Sequence, residues 1–122
     1  MNKKEYWDKY YAENKEELSY RRAHTINGKY VAYKSKSKYR GLVFELTYDE
    51  FSYIVSQLCT YCGGYNNPNG IDRVDNSIGY ISGNCVPCCY RCNVMRNRLS
   101  QEEFKTHIIK LYNNFGIGLD ED

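Results

Sequence analysis

Six cysteines in two clusters constrain this chain of 122 residues more than any other feature. Cys59-Thr-Tyr-Cys62-Gly-Gly forms one CxxC knuckle, while Asn84-Cys-Val-Pro-Cys-Cys-Tyr-Arg-Cys-Asn93 crowds four cysteines into eight positions and offers two more pairs, 85/88 and 89/92. A chain of about one domain's length has only a small core, so a staple from outside the apolar set is expected. The opening MNKKEYWDKYYAEN is charged and lacks the apolar run of a secretory signal, and no apolar stretch is long enough to span a bilayer. The expected setting is cytoplasmic and not secreted, with no membrane partner. Reduced cysteines there serve as metal ligands rather than disulfides.

The crowded stretch is sorted by the geometry of a knuckle, in which two thiolates face one ion and the residues beyond the second cysteine take positive φ. Gly63 follows Cys62, and Asn93, the non-glycine residue that enters that region most readily, follows Cys92. Cys88 lies between Pro87 and Cys89. Cys59, Cys62, Cys89 and Cys92 are therefore the expected zinc ligands, with Cys85 and Cys88 left as spare, buried thiols. Four thiolates close a tetrahedral site, so the ion has a structural role.

Charge divides the chain. Residues 1–40 carry eleven Lys and Arg against five acids, a net +6, whereas residues 41–122 carry six against ten, a net −4. The basic arm is interleaved with Tyr6, Trp7, Tyr10, Tyr11, Tyr20, Tyr30, Tyr33 and Tyr39, a composition suited to a phosphate backbone. The arm is expected to be helical, broken near Asn14 and again at Asn27-Gly28. Further on, LTYDEF (46–51) and LSQEEF (99–104) share one helix-start design: Thr47 or Ser100 as cap, Glu50 or Glu103 reciprocating, and a Leu/Phe staple around them. Helical spacing assigns Phe51, Ile54, Val55 and Leu58 to the core from the first helix. Phe104, Ile108, Leu111 and Phe115 are assigned from the last. The expected organisation is a basic helical arm over 1–40, a zinc-binding domain over 41–116 and an acidic tail over 117–122.

Between the capped helices, Gly70-Ile-Asp-Arg-Val74 alternates like a strand, Asp75-Asn-Ser-Ile-Gly79 reads as a turn, and Cys85-Val86 as a second strand running into a helix near Cys89. A ββα unit with zinc beneath it makes the expected fold class α+β, flanked by helices. The run Cys-x-x-Cys-Gly, Gly-Ile-Asp-Arg-Val-Asp-Asn, Gly-Tyr, Gly-Asn and Cys-x-x-Cys-Asn resembles the HNH (ββα-metal) endonuclease family, in the zinc-knuckle branch common in phages and large viruses. The resemblance covers roughly residues 42–112. It implies a metal-dependent DNA endonuclease or nickase hydrolysing phosphodiester bonds, with Asp72 as strand metal ligand, Asn84 as the middle Asn and Asn93 as helix ligand for Mg²⁺ or Mn²⁺. It also admits a nucleoid- or viral-particle-associated location.

One position departs from that family's pattern. Where its general base His normally stands, this chain has Arg73, which cannot give up its proton and so cannot activate water. Arg73 is expected instead to clamp a phosphate. Asp75, Tyr80 and His24 are the alternative bases. Lys34, Lys36, Lys38, Arg40, Arg73 and Arg96 are the expected nucleic-acid contacts, to DNA with RNA as the alternative. A zinc-stapled binding module without catalysis, or a structural protein of a nucleoprotein assembly, are the competing functions.

Overall fold

A computed structural model describes residues 1–116; the expected acidic tail, 117–122, lies outside the described residues. The N-terminal third is three helices: α1 (Lys3–Glu13), α2 (Lys15–His24) and α3 (Ile26–Tyr39). The first break falls at Asn14 as expected, although Asn14 closes α1, its side chain donating to the Tyr10 carbonyl, and does not cap α2. The second falls at Thr25 rather than at Asn27-Gly28, because Thr25 caps α3 by accepting from the Gly28 amide while its hydroxyl donates to the Arg21 carbonyl. Gly28 itself lies inside α3. A Cβ there would come within 2.2 Å of the Arg21 carbonyl oxygen, so glycine is what lets the two helices turn this tightly.

Neither α1 nor α2 buries a residue, but α3 does. Ile26, Tyr30 and Tyr33 pack against a core of Leu46, Phe51, Val55, Ile71 and Tyr80, and Ser37 is buried. The Tyr33 hydroxyl accepts from the Ile71 amide at 2.9 Å, which docks α3 onto the sheet. The packed body thus extends across residue 40 to include α3, because Ile26, Tyr30 and Tyr33 turn inward while Lys34, Lys36 and Lys38 remain outside.

Helix α4 (Tyr48–Val55) and helix α6 (Gln101–Phe115) begin with the expected reciprocal caps, Thr47 with Glu50 and Ser100 with Glu103. Their apolar faces fare differently. Phe51 and Val55 are fully buried, whereas Leu58 is 63% exposed because α4 ends at Val55 and the chain has left the helical face by then. On α6 only Phe104 is buried; Ile108, Leu111 and Phe115 are exposed because the helix outruns the elements that could cover it.

Strands β1 (Gly70–Arg73) and β2 (Cys85–Cys88) pair antiparallel, with Ile71 opposite Pro87 and Asp72 opposite Val86. Helix α5 (Tyr90–Arg96) follows at once, completing the ββα unit. The segment 43–45 binds the loop between the strands: the Tyr80 amide donates to the Val43 carbonyl and the Glu45 amide to the Tyr80 carbonyl. Helices around a small two-stranded sheet make the molecule α+β. No helix of the described residues is long and apolar enough to cross a membrane.

Candidate metal centre and adjoining cavity

The sulfurs of Cys59, Cys62, Cys89 and Cys92 lie within 4.8 Å of one another, a group able to hold a metal ion. The Cys62 and Cys89 sulfurs are 3.7 Å apart, close to the roughly 3.8 Å edge of a tetrahedron with metal–sulfur bonds of about 2.3 Å. Burial raises the Cys59 thiol, but hydrogen bonds from the backbone of Cys62, Cys89 and Tyr61 outweigh it and bring the group to about 6, where a thiolate ligand is available at neutral pH. Burial pushes Cys85 up to about 11 and Cys88 well above the usual thiol range. Both remain protonated outside the cluster.

The expected ligand set is the one brought together, for a reason only half foreseen. Gly63 does take positive φ beyond Cys62 (74°). Asn93 does not, because it lies inside α5. There Cys89 is the N-cap, its sulfur accepting from the Cys92 amide, and the residue with positive φ is the C-cap Asn97. The pair 89/92 is selected by a helix start rather than by a left-handed turn after the knuckle. Asn69, fully buried, holds the first knuckle in place by donating to the Gln57 and Gly64 carbonyls and accepting from the Asn66 amide.

Above this cluster β1 presents Asp72 and Arg73 in opposite circumstances. Asp72 is buried, and its Oδ2 accepts from the Tyr61 hydroxyl at 2.6 Å and from the Arg96 guanidinium. Tyr61 lies between two of the clustered cysteines, so the knuckle itself reaches the strand carboxylate. Arg96 also donates to the carbonyls of Arg73, Val74 and Leu99. With 1% of its surface exposed, Arg96 is an internal bracket and not the nucleic-acid contact expected of it. The burial follows from helix spacing: Cys92 faces inward, and a residue four positions later shares its face. A charged group there requires a buried partner, which Asp72 supplies.

Among the described residues Asp72 Oδ1 accepts no hydrogen bond. Asp72 borders a cavity of about 550 Å³ whose lining includes Arg40, Arg73, Tyr80, Asn93 and Arg98. Arg73 lends Nη1 to the carbonyls of Asn76 and Ile78 and lies 5.4 Å over the Tyr80 ring. Among the described residues its Nε and Nη2 make no hydrogen bond to a carbonyl or carboxylate, and the guanidinium faces the Tyr80 phenol. Three arginines thus border a cavity whose carboxylate is already balanced by Arg96.

Asn84 does not line the cavity. Its amide donates to the Asp75, Ile78 and Gly79 carbonyls and accepts from the Asp75 amide, which fixes the loop that in turn holds Arg73. Of the alternative bases, Tyr80 borders the cavity, its phenol raised by burial despite the nearby Arg73. Asp75 caps the turn through Ser77, and His24 stacks on Tyr20 in α2; neither borders the cavity. Arg40 lines the cavity, Lys36 lines the adjoining cleft, and Lys34 and Lys38 are exposed on α3. Sequence reasoning missed Tyr61, Arg98 and the bracket formed by Arg96.

No known protein-family profile matches the chain. An uncharacterised protein of Acanthamoeba polyphaga mimivirus is 44% identical over 97 residues, 77% of this chain, and the chain spans 18% of that protein's length. Among solved structures, the rare-cutting HNH restriction endonuclease PacI superposes with a TM-score of 0.58 over 77% of this chain and 83% of its own, at 19% identity. That likeness is one of fold: the ββα unit over its cysteine cluster is HNH-like in architecture.

Proposed function

We propose that this chain is an HNH-type, metal-dependent nuclease acting on DNA, with a structural zinc ion at Cys59, Cys62, Cys89 and Cys92. The observation that carries the reading is the shared cavity, in which one open carboxylate oxygen, one helix asparagine and three arginines converge on an HNH-like fold. The donor set fits a hard cation. Asp72 Oδ1 and the Asn93 amide oxygen are oxygen ligands, and a site with only two protein ligands suits Mg²⁺ or Mn²⁺. When bound, such an ion supplies positive charge to the scissile phosphate and acidifies water.

The chain's own residues do the rest. Tyr61 and Arg96 hold Asp72 Oδ2 so that Oδ1 stays aimed outward. Arg73, tethered at Nη1, presents Nε and Nη2 as a side-on fork for two phosphate oxygens, which stabilises charge that grows in the transition state. The Tyr80 phenol, kept protonated by burial, serves as a hydrogen-bond donor toward a phosphate oxygen and not as the base.

The test is nicking of supercoiled DNA with Mg²⁺ or Mn²⁺. Asp72→Ala should abolish it while zinc content is unchanged, Tyr80→Phe should reduce it at least tenfold, and Asp75→Asn should leave it within about twofold. A nicking parent unaffected by Asp72→Ala would sink the site.

A second reading, a binding module without catalysis, is favoured by Arg73 in the position of the base. It predicts an inert parent, and an Arg73→His variant that gains nicking because imidazole accepts a proton near neutral pH.

A further inference from the structure

The cavity does not end at Arg40. It shares Arg40, Tyr80 and Asn93 with a second cavity, of about 480 Å³, that runs between α2 and α3. Lys29, Tyr33, Lys36 and Arg40 supply the α3 wall at helical spacing, and Arg22 faces them from α2. Among the described residues no acid lines it. Among the described residues, Arg22, Lys29, Lys36 and Arg40 make no ion pair, although Lys4, Lys9, Arg21 and Lys105 each find a carboxylate within their own helix. Lys29 is half-buried, and its ammonium is held below the usual lysine range by that burial and by Lys36. Four cations thus share one cleft with no carboxylate beside them among the described residues. Tyr90, 79% exposed, offers an aromatic face at the edge of the cleft.

We propose that the α2–α3 cleft is the track for the nucleic-acid backbone leading away from the Arg73 cavity, with Arg22, Lys29, Lys36 and Arg40 as its phosphate contacts and Tyr90 as a stacking platform. This rests on the nuclease reading only for its direction, since the track begins where the scissile phosphate would lie. Lys29 to Arg40 spans about 16 Å of helix at 1.5 Å per residue. At about 3.4 Å per phosphate along one strand, that accommodates about five phosphates. The track excludes part of the basic arm. Lys34 and Lys38 lie on the opposite face of α3, where Lys34 sits over the Tyr30 ring at 5.5 Å.

The test compares two doubly substituted full-length proteins that lose the same charge, Lys29→Gln/Lys36→Gln and Lys34→Gln/Lys38→Gln. Binding to a fluorescein-labelled DNA duplex is read by anisotropy without divalent metal across 50–200 mM salt. The cleft variant should flatten the slope of log affinity against log salt by about 1.8, from about 0.9 for each lost phosphate contact, and the outer variant by less than half of that. Arg22→Gln, at an exposed residue of the cleft rim, should remove about 0.9 by itself and guards against misfolding of the Lys29 variant. Equal flattening by the two doubles, or a parent that does not bind, would overturn the track. Poly-glutamate at matched charge should not displace the duplex; displacement would assign the cleft to an acidic polypeptide instead. Because binding is read without metal, a protein that binds through the cleft but never nicks keeps the track and loses the nuclease reading.

Discussion

The molecule has two cores that meet on β1, and they are made of different materials. One is aromatic and aliphatic, with Phe51 at its centre in contact with the rings of Tyr30, Tyr33 and Phe44. The other is Cys59, Cys88, Cys89 and Cys92, with Tyr61 beside them. The first closes by removing apolar surface from water, which needs no partner. The second packs protonated Cys88 against the clustered sulfurs of Cys59, Cys62, Cys89 and Cys92, which as thiolates would repel one another unless a cation sat among them. The alternation of a strand puts Ile71 in the first core and turns Asp72 toward Tyr61. The residues proposed to act on phosphate thus lie on a seam, one side of which depends on metal.

The largest effect that would break this contrast is metal removal. Chelation, or Cys62→Ser, should forfeit much of an apparent binding energy of about 10–16 kcal/mol measured for such sites in small peptides. Hydrogen exchange should then show lost protection at residues 59–64 and 89–93 before the amides of α4. Simultaneous loss at Phe51 and Val55 would make the two cores one cooperative unit.

Next in size is Phe51→Ala, expected to cost about 3–5 kcal/mol in urea unfolding of the metal-loaded protein. Phe104→Ala should fall at or below the lower end of that range, since among the described residues its one aromatic-ring partner is Tyr61. A reversed order would move the centre of stability to the knuckle.

Alkaline pH sharpens the comparison from the aromatic side. Burial raises the Tyr33 phenol to about 12 from an ordinary 10. The folded state keeps that proton while the unfolded chain releases it, so stability is fully present below pH 10 and declines as pH rises toward 12, by about 2 kcal/mol. Tyr33→Phe should flatten the part of the decline that this phenol causes, measured by denaturant midpoints between pH 9 and 12. The smallest expected effect is at Cys85, outside the ligand cluster. Cys85→Ser should cost under about 1 kcal/mol and leave one metal per chain by elemental analysis.

The legible parts of this fold were those written locally. Both reciprocal caps, the break at Asn14, the two strands and the ligand cysteines depend on neighbours within a few residues, and sequence displays such neighbours directly. Leu58, Ile108, Leu111 and Phe115 carried helical spacing but are exposed, because burial requires a second surface and spacing cannot say whether one arrives. Arg96 was read as a surface cation from its composition alone. Its position one turn after Cys92 did carry the signal, since an inward arginine must find an acid. Asp72 and Asn93 do share a cavity, while Asn84 reaches it only through the loop that holds Arg73. The Tyr61–Asp72 contact spans a knuckle and a strand, and neither segment announces the other.

That contact ties assembly to readiness. Tyr61 is one of two residues between Cys59 and Cys62, so the hydroxyl that orients the strand carboxylate is carried on the same turn that wraps the ion. No adjustable spacer separates the two tasks. Under the proposed zinc and nuclease assignments, loss of the metal would loosen the knuckle and the Tyr61 hold on Asp72 together, so metal loading would act as a built-in safety catch.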